Sequence, residues 1–327
     1  MTFMYKTHSN YVAALAALGF GIVGSLAATA ANAEGFPSKP VELVIPFAQG
    51  GGTDQVGRIF AEYAEPHLGA DIFVSNRTGG SGAVGFSYGA NADADGHFIT
   101  MIVTTLAAGP HTIDGYPVSY EDFKPICLLS APPAVFAVHP ESGIDSLAAL
   151  VEKAKAEPGE LVFGTAGPGS NTHLTGAAFA TQADIDIRFM PHKGSGPALT
   201  AAYGKHIDVA IADKAEVTPW HKDGRLDVLT VFTDDPKAGL DGVPLATDED
   251  YRVDIGSFRG IGAPKGTSAE AMNVLVDACR RTTEDPDFID HMKRTGTEIY
   301  ALFGEEFGDW LQNKHESFGE AAEAAGL

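Results

Sequence analysis

The chain has 327 residues, of which 44% are hydrophobic and 20% are charged, and its formal net charge is −21 at pH 7. This is ordinary globular composition, long enough for two lobes with separate cores, and it argues against repeat and disordered architectures. So acidic a surface repels nucleic acid and anionic lipid, which argues against a nucleic-acid-binding function. An anionic ligand would have to be held by local dipoles and a few placed cations.

Residues 1–33 have the pattern of a secretory signal peptide. Lys6 lies in a short polar start, residues 11–28 are almost entirely apolar and small, and Ala31-Asn32-Ala33 has the form of a cleavage site. The apolar stretch is long enough to leave an uncleaved N-terminal anchor open as an alternative. We expect a mature protein that is exported to the periplasm.

The next pattern is a short apolar strand that leads through glycines into a helix. The strand covers residues 41–45, the glycines are residues 50–52, and Thr53-Asp54 precede a helical pattern that runs to Gly69. Glycines let the backbone approach a ligand, and the free N–H groups of a helix's first turn favour a negative group. We interpret this stretch as the anion end of a binding site.

The remaining pattern predicts two α/β series. Strands at residues 71–74 and 97–103, with a small-residue helix between them, indicate a parallel, doubly wound sheet. An extended apolar run at residues 125–138, with paired prolines, suits a strand that leaves one lobe and enters another. The second series is helix 146–156, strand 161–164, a helix ending at 181, strand 187–189, helix 196–203 and strands 209–211 and 228–232.

The last part of the chain is predicted to return to the first lobe. Residues 234–254 are polar and rich in Gly, Pro and Asp, as in a connection, and a strand follows at residues 258–264. Helices at residues 268–283 and 304–324 complete the chain, with Pro286 between them. Two α/β lobes joined by two crossing strands predict a hinged clamp with its ligand in the cleft.

Two further loops resemble the first glycine turn in their chemistry. Residues 165–173 follow a buried strand and open a helix with glycines and small hydroxyls, and residues 191–197 follow the next strand and add Lys193. Either loop alone could be an ordinary capping turn. Their recurrence at the carboxyl ends of strands, where ligands bind α/β sheets, favours a binding cleft.

Several motif fragments do not support other chemistries. Residues 80–85 fit G-x-G-x-x-G, which we interpret as a turn facing the cleft because the chain is exported away from nicotinamide cofactors. Residues 91–96 match half of an EF-hand loop, but Ile102 stands where a bidentate Glu is needed. No lysine follows residues 50–52 as in a P-loop, and neither H-E-x-x-H nor C-x-x-C occurs. We expect no cofactor and no metal.

Two questions stay open at the level of residues. No G-x-S-x-G motif occurs, but Ser170 and Ser195 have histidines nearby in sequence, so an exported serine-type hydrolase on the same scaffold remains an alternative. Cys127 and Cys279 are expected to be small buried hydrophobic residues, although an oxidising compartment also permits a disulfide between them.

Short segments in a specific order and spacing run through nearly the whole mature chain. They are Phe36-Pro37-Ser38-Lys39-Pro40, Pro46-Phe47, Gly50-Gly51-Gly52-Thr53-Asp54, Asn76-Arg77, Ala94-Asp95-Gly96-His97, Asp122-Phe123-Lys124-Pro125, Gly167-Pro168-Gly169-Ser170, His192-Lys193-Gly194, Pro197-Ala198-Leu199 and Ala263-Pro264-Lys265-Gly266-Thr267. Together they resemble the solute receptors of tripartite tricarboxylate transporters, the Bug family of periplasmic binding proteins.

The resemblance implies a type II-like, Venus flytrap clamp that binds a small carboxylate, either a di- or a tricarboxylate, and delivers it to a membrane permease without catalysis. A monomer is expected, and a receptor serving a sensor kinase is an alternative. By position, the resemblance implies ligand contacts at Gly51, Gly52, Thr53, Asp54, Thr165, Gly169, Ser170, Asn171, Lys193, Gly194, Ser195 and Asp213.

The chain departs from the family pattern at two places. Gln49 stands where the family has Pro, so its amide could reach the ligand, and Arg259 replaces one residue of an aromatic pair. A guanidinium grips a carboxylate bidentately, so Arg259 is a candidate partner for a second carboxylate, with an interlobe ion pair as the alternative. The predicted division is a signal peptide at 1–33, lobe 1 at 34–131, lobe 2 at 132–250 and a return to lobe 1 at 251–327.

Overall fold

The computed structural model describes residues 35–327, so the predicted signal peptide at residues 1–33 lies outside the described residues. In chain order the elements are β1 (Val41–Ile45), α1 (Gly52–Leu68), β2 (Ile72–Asn76), α2 (Ala83–Ala90), β3 (Phe98–Val103), α3 (Thr104–Thr112), β4 (Phe123–Ser130), β5 (Ala134–Val138), α4 (Leu147–Ala156), β6 (Val162–Thr165), α5 (Asn171–Ala183), β7 (Arg188–Pro191), α6 (Ser195–Tyr203), β8 (Val209–Asp213), α7 (Lys214–Lys222), β9 (Asp227–Phe232), β10 (Arg259–Pro264), α8 (Ala269–Glu284), α9 (Pro286–Arg294), β11 (Leu302–Phe303) and α10 (Glu305–Ala324).

The strands form two mixed sheets. The first sheet has the order β11-β4-β10-β3-β1-β2 and the second has the order β7-β6-β8-β5-β9. β1 pairs in parallel with β2 and β3, and β6 pairs in parallel with β7 and β8, which agrees with the predicted alternation of strands and helices. The predicted parallel arrangement holds for β1, β2 and β3, but the sheet as a whole is mixed, because β10 runs antiparallel to both β3 and β4.

The two crossings between the sheets explain these antiparallel strands. β4 ends at Ser130 and β5 begins at Ala134, so the chain passes between the sheets over Pro132 and Pro133, which cannot donate ladder hydrogen bonds. Each crossing brings the chain into the new sheet at the carboxyl ends of its parallel strands. The entering strand, β5 or β10, therefore runs antiparallel to them. The carboxyl ends of the parallel strands in the two sheets therefore face each other.

Each sheet has a strand that is buried along its whole length. β1 and β5 are buried at every residue, as expected for central strands, and Glu42 is the one charged residue among them. In the second sheet, the Phe136 ring packs edge-on against Phe163, Phe179 and Phe232, with centroid distances of 5.4, 5.0 and 4.5 Å. Such aromatic packing holds α5 against the sheet and so fixes the loop that precedes this helix.

A disulfide joins Cys127 on β4 to Cys279 on α8, with the Cα atoms 6.5 Å apart. Both residues are fully buried, as predicted, but the expectation of two unlinked hydrophobic residues is wrong. The sequence could not reveal the pairing, because the two cysteines are 152 positions apart and only the packing of α8 on β4 brings them together.

Three helices were not predicted from the sequence, namely α3, α7 and α9. Pro110 and Pro219 interrupt the helical patterns of α3 and α7, and Pro286 was interpreted as a break. Pro286 instead occupies the first turn of α9, where proline is well tolerated because no N–H partner is lost. No helix among residues 35–327 is long and apolar enough to cross a membrane.

The G-x-G-x-x-G segment at residues 80–85 has a packing explanation. Gly82 has a φ of +93°, which a residue with a side chain rarely adopts, and a Cβ at Gly85 would lie 2.6 Å from backbone atoms of Arg77 and Pro46. These glycines let α2 pack directly on the end of β1.

Candidate functional site

The first loop, residues 46–51, connects β1 to α1 and is held from inside by Asp54. This side chain is 2% exposed and accepts hydrogen bonds from the Gly50 amide at 2.9 Å, Arg58 Nε at 3.0 Å and Asn76 Nδ2 at 2.9 Å. Burial alone raises the pKa of Asp54, but the hydrogen bonds from Arg58, Gly50 and Asn76 outweigh it and hold this pKa below its usual value. Both carboxylate oxygens are engaged, Oδ2 by the Gly50 amide and Oδ1 by Asn76, so Asp54 ties the first loop to the end of β2 and shapes the loop.

The start of α1 carries free hydrogen-bond donors. Gly51 is the N-cap residue and no side chain caps the helix, so amides of the first turn, among them those of Gly52 and Thr53, are open to solvent or to a ligand. Together with the helix dipole they favour a negative group. Gln49 is exposed and Thr53 is partly exposed, and neither side chain has a hydrogen-bond partner within the described part of the chain.

Arg259 lies beside this helix start. A Cβ built on Gly52 would be 3.5 Å from Nη2 of Arg259, although the two residues belong to α1 and β10. Arg259 Nε is buried without a hydrogen-bond partner, and the guanidinium forms no ion pair with any residue in the range 35–327. The interlobe salt bridge that was the alternative explanation for Arg259 is therefore not formed there.

The second loop, residues 166–170, connects β6 to α5 and is capped by its own serine. Ser170 Oγ accepts from the His173 amide at 3.2 Å and donates to the Gly167 carbonyl at 2.7 Å, which makes Ser170 the N-cap of α5. Thr165 is 1% exposed and its hydroxyl has no partner. A Cβ at Gly169 would lie 3.2 Å from Thr112 on α3, so this loop approaches a helix that packs on the first sheet.

Asp213, at the end of β8, is held between the second loop and the returning chain. Its carboxyl group accepts from Asn171 Nδ2 at 3.0 Å and from the Ser257 hydroxyl. Burial, assisted by the nearby charge of Glu216, raises the pKa of Asp213 to about 6, although Ser257, Arg259 and Asn171 act in the opposite direction. Arg259 is thus close enough to act on Asp213 electrostatically, while Asp213 obtains its hydrogen bonds elsewhere.

The third loop, residues 192–194, connects β7 to α6 and is joined to the second loop through the backbone. The His192 amide donates to the Thr165 carbonyl at 2.8 Å, and the Gly194 amide donates to the Ala166 carbonyl at 3.1 Å. Ser195 is buried at the start of α6, whereas Lys193 is exposed and has no ion pair among the described residues. The two loops therefore form one continuous surface with a cation at its margin.

The family model for the tripartite tricarboxylate transporter family receptor matches residues 56–327. The chain belongs to this family. Family membership agrees with the facing loops and the two crossings, and it identifies the protein as a solute-binding receptor.

Individual relatives agree with this assignment. The receptor is 30% identical to Protein BugT of Bordetella pertussis (strain Tohama I) over 270 residues, which cover 81% of this chain and 83% of BugT. It is similar to a TctC solute-binding protein from Polaromonas, solved without ligand, with a TM-score of 0.82, 29% identity and coverage of 88% of this chain and 99% of that chain. It is also similar to Rpa4515 of R. palustris, solved with adipate, with a TM-score of 0.71 and 25% identity. That match covers 89% of this chain and 98% of the Rpa4515 chain. The predicted family and two-lobed α/β fold are confirmed.

Four hydroxyl residues of the receptor lie near these loops and were missed in the sequence. Thr104 Oγ1 accepts from the Phe258 amide at 3.0 Å, and Ser257 bonds Asp213. Ser130, fully buried, and Thr105 have hydroxyls without partners, and Ser130 is paired with Arg259 across β4 and β10. For Thr104, Thr105 and Ser130, the position at the carboxyl ends of β3 and β4 was the available signal, since the same rule selected the predicted loops; Ser257 instead precedes β10.

The hydrogen bonds that a serine hydrolase would need are not formed at either predicted place. Ser170 Oγ contacts the backbone amide of His173, while the His173 ring accepts from the Gly169 amide through Nδ1 at 3.1 Å. His192 Nε2 is buried without a partner, so it does not bond Ser195. Within residues 35–327, no three His, Cys, Asp or Glu residues lie together in a way that could hold a metal ion.

Two cavities of the receptor lie away from the loops. One, of about 340 Å³, is lined by residues of the hinge and of α10, among them Tyr300, Trp310 and Lys314. The other, of about 640 Å³, lies against α5 and includes His173 and Phe189. Neither is lined by residues of the first loop, so neither corresponds to the predicted ligand position.

Proposed function

We propose that this receptor captures a small organic carboxylate, a di- or tricarboxylate, between the first loop and the joined second and third loops. The observation that carries the proposal is the uncapped start of α1 beside Arg259, a cation that has no ion pair among the described residues. Helix N-termini and guanidinium groups are the two standard protein partners of a carboxylate. The adipate found in Rpa4515 supports the same ligand class.

We further propose how the predicted residues divide their roles. Gly52 and Thr53, next to Gly51 of the first loop, would offer donors from the first turn of α1. Thr165, Ser170 and Asn171 would offer donors from the other side, with the Ser170 O–H turning from the Gly167 carbonyl to the ligand. Gly169 would shape the second loop, because its amide already donates to His173 Nδ1. Asp54 would act by shaping the first loop, because its oxygens are already occupied. Gln49, Lys193, Gly194 and Ser195 would line the margin, and Asp213 would hold Asn171 in place.

The receptor would bind its ligand in the periplasm and release it, chemically unchanged, to a permease in the membrane. The predicted signal peptide supports this location, and binding would shift the clamp towards a closed form that the permease recognises. A hydrolase is not favoured, because neither Ser170 nor Ser195 has a histidine ring as its hydrogen-bond partner. Incubation of the protein with candidate ligands should yield a stoichiometric complex and no product.

A matched pair of cap variants tests the site. Ser170 caps α5 at the proposed site, and Ser146 caps α4 elsewhere in the same way, with its hydroxyl accepting from the Ala149 amide at 3.2 Å. Ser170→Ala and Ser146→Ala should each cost about 1 kcal/mol of unfolding free energy through the lost cap. Only Ser170→Ala should also weaken carboxylate binding, by roughly 1 to 3 kcal/mol for a lost hydrogen bond to a charged group.

The measurement is a thermal-shift screen of carboxylates on the mature protein, followed by calorimetry on the variants with the acid that binds. Thr53→Ala should weaken binding in the same range because it removes a donor from the opposite loop. Unchanged affinity in both Ser170→Ala and Thr53→Ala would reject this assignment of the site. If no carboxylate shifts the melting temperature, the proposed ligand class is wrong.

A further inference from the structure

We propose that Arg259 binds the same carboxylate as the start of α1, and not a second anionic group at another part of the ligand. This inference rests on the proposed function, since it requires a carboxylate ligand. It assigns one carboxylate group of that ligand to a site formed by the amides of α1 and the guanidinium of Arg259. It changes the role first considered for Arg259, which was recognition of a second carboxylate.

The position of the guanidinium is the first argument. Nη2 of Arg259 lies 3.5 Å from the place where a Gly52 side chain would begin, which is the first turn of α1. A carboxylate at the free amides of this turn would be in reach of the guanidinium as well. A carboxylate has two oxygens with about four acceptor positions, enough for the helix amides and the guanidinium together.

The unmet hydrogen-bonding needs around Arg259 are the second argument. Arg259 Nε is buried without an acceptor, and Ser130, opposite Arg259 in the β4–β10 pair, is fully buried with its hydroxyl unpartnered. Ser130 and Arg259 are register partners beside a β-bulge of this pair, so they are neighbours at this end of the two strands. Arg259 Nε and the Ser130 hydroxyl are donors without acceptors, and so are the first amides of α1 beside them. One anion could accept hydrogen bonds from all of these groups.

Within residues 35–327, no carboxylate forms an ion pair with Arg259. Asp213 is the acid whose charge interacts with Arg259, but it is hydrogen-bonded to Asn171 and Ser257. Asp54, on the other side of the first loop, is engaged by Gly50, Arg58 and Asn76. The guanidinium therefore keeps its donors available for the ligand, even in a chain whose net charge is −21.

The consequence is that Arg259 determines affinity for any carboxylate and does not distinguish one carboxylate group from two. Calorimetry with adipate and with hexanoate, its monocarboxylate counterpart, tests this on the wild type, Arg259→Gln and Arg259→Lys. Arg259→Gln should lower the affinity for adipate and for hexanoate by the same factor, roughly 10- to 100-fold. Arg259→Lys should recover part of the loss, because lysine keeps the charge but not the bidentate geometry.

Lys265→Gln is the charge control, since Lys265 is exposed just beyond the far end of β10 and removal of its charge should change affinity less than about threefold. A loss confined to adipate would overturn the inference and restore the second-carboxylate role. Equal affinity of Arg259→Gln and wild type would remove Arg259 from the site.

A measurement on the wild type avoids any effect of the substitutions on folding. In an NMR titration with acetate, the Arg259 Nε–H and Gly52 amide signals should shift together and give one dissociation constant, with sodium chloride as the ionic control. A Gly52 shift without an Arg259 shift would overturn the inference and leave the proposed function intact. If no carboxylate in the thermal-shift screen binds, the proposed function itself is wrong.

Discussion

Replacement of Asp213 by asparagine should make the receptor more stable at neutral pH. Burial raises the pKa of Asp213 from its usual 3.8 to about 6, so the charged carboxylate disfavours the folded state. Each pKa unit corresponds to about 1.4 kcal/mol, which sets an upper limit of about 3 kcal/mol, and partial exposure of the side chain reduces it to about 1 to 3 kcal/mol. Asparagine can still accept from Asn171, donate to Ser257 and cap α7.

The pH dependence gives the sharper test. Below pH 3.8 the group is protonated in both states and costs nothing, whereas between pH 3.8 and 6 the folded state retains a proton that the unfolded state has lost. Asp213 therefore lowers the unfolding free energy of the wild type as the pH rises from 3.8 to 6. Asp213→Asn should remove this contribution to the pH dependence of the unfolding free energy.

Thermal or urea unfolding of the ligand-free protein from pH 4 to 7.5 measures both effects. Asp227→Asn is the control, because Asp227 is exposed and should leave the pH profile unchanged. The reasoning is refuted if Asp213→Asn is less stable than wild type at pH 7 and the two proteins have parallel pH profiles.

Three other substitutions test the supports of the site. Asp54→Asn should cost about 2 to 4 kcal/mol of unfolding free energy, since one oxygen of this buried carboxylate becomes an NH2 group that cannot accept from Gly50, Arg58 or Asn76, and this cost should shrink as the pH falls through the lowered pKa of Asp54. Replacement of Cys127 and Cys279 by alanine should cost about 2 to 5 kcal/mol because the disulfide closes a long loop, with a Tm decrease of about 2 to 4 °C per kcal/mol. Gly85→Ala should cost more than about 3 kcal/mol, because its Cβ would meet backbone atoms at 2.6 Å.

Each of these has a control or a contrary outcome. Glu62→Gln removes one exposed negative charge from the same helix as Asp54 and should be close to neutral. A Cβ at Gly196 meets no atom within 4 Å, so Gly196→Ala should lack the penalty of Gly85→Ala. For the disulfide, a reductant should lower the Tm of wild type but not of the double variant, and equal Tm values would contradict the bridge.

The acidity of the receptor has a local exception at the site. The chain carries a net charge of −21, yet the free amides of α1, the start of α6 and the guanidinium of Arg259 present positive potential near the facing loops. Since salt screens charges beyond about 10 Å, such short-range dipoles and one half-buried cation can hold an anion against the overall field. Affinity should therefore depend weakly on ionic strength.

The sequence by itself determined the elements and their general arrangement. Apolar runs predicted the strand β1 and the extended crossing segment that the structure divides into β4 and β5, and glycines with small hydroxyls marked the loops that lead into α1 and α5. These signals are local, because hydrophobic periodicity and helix capping depend on neighbouring residues. The rule that ligands bind at the carboxyl ends of parallel strands then brought the first and second loops to one site.

Only the tertiary structure decided which side chains meet. It turned Asp54 into the first loop, joined Cys127 to Cys279, and put Arg259 beside Gly52 without an ion pair. None of these contacts has a sequence signature, because each depends on the register and direction of strands that are far apart in the chain. Arg259 reaches the start of α1 because β10 enters the first sheet beside the carboxyl end of β3 and runs antiparallel to it, with Arg259 as its first residue.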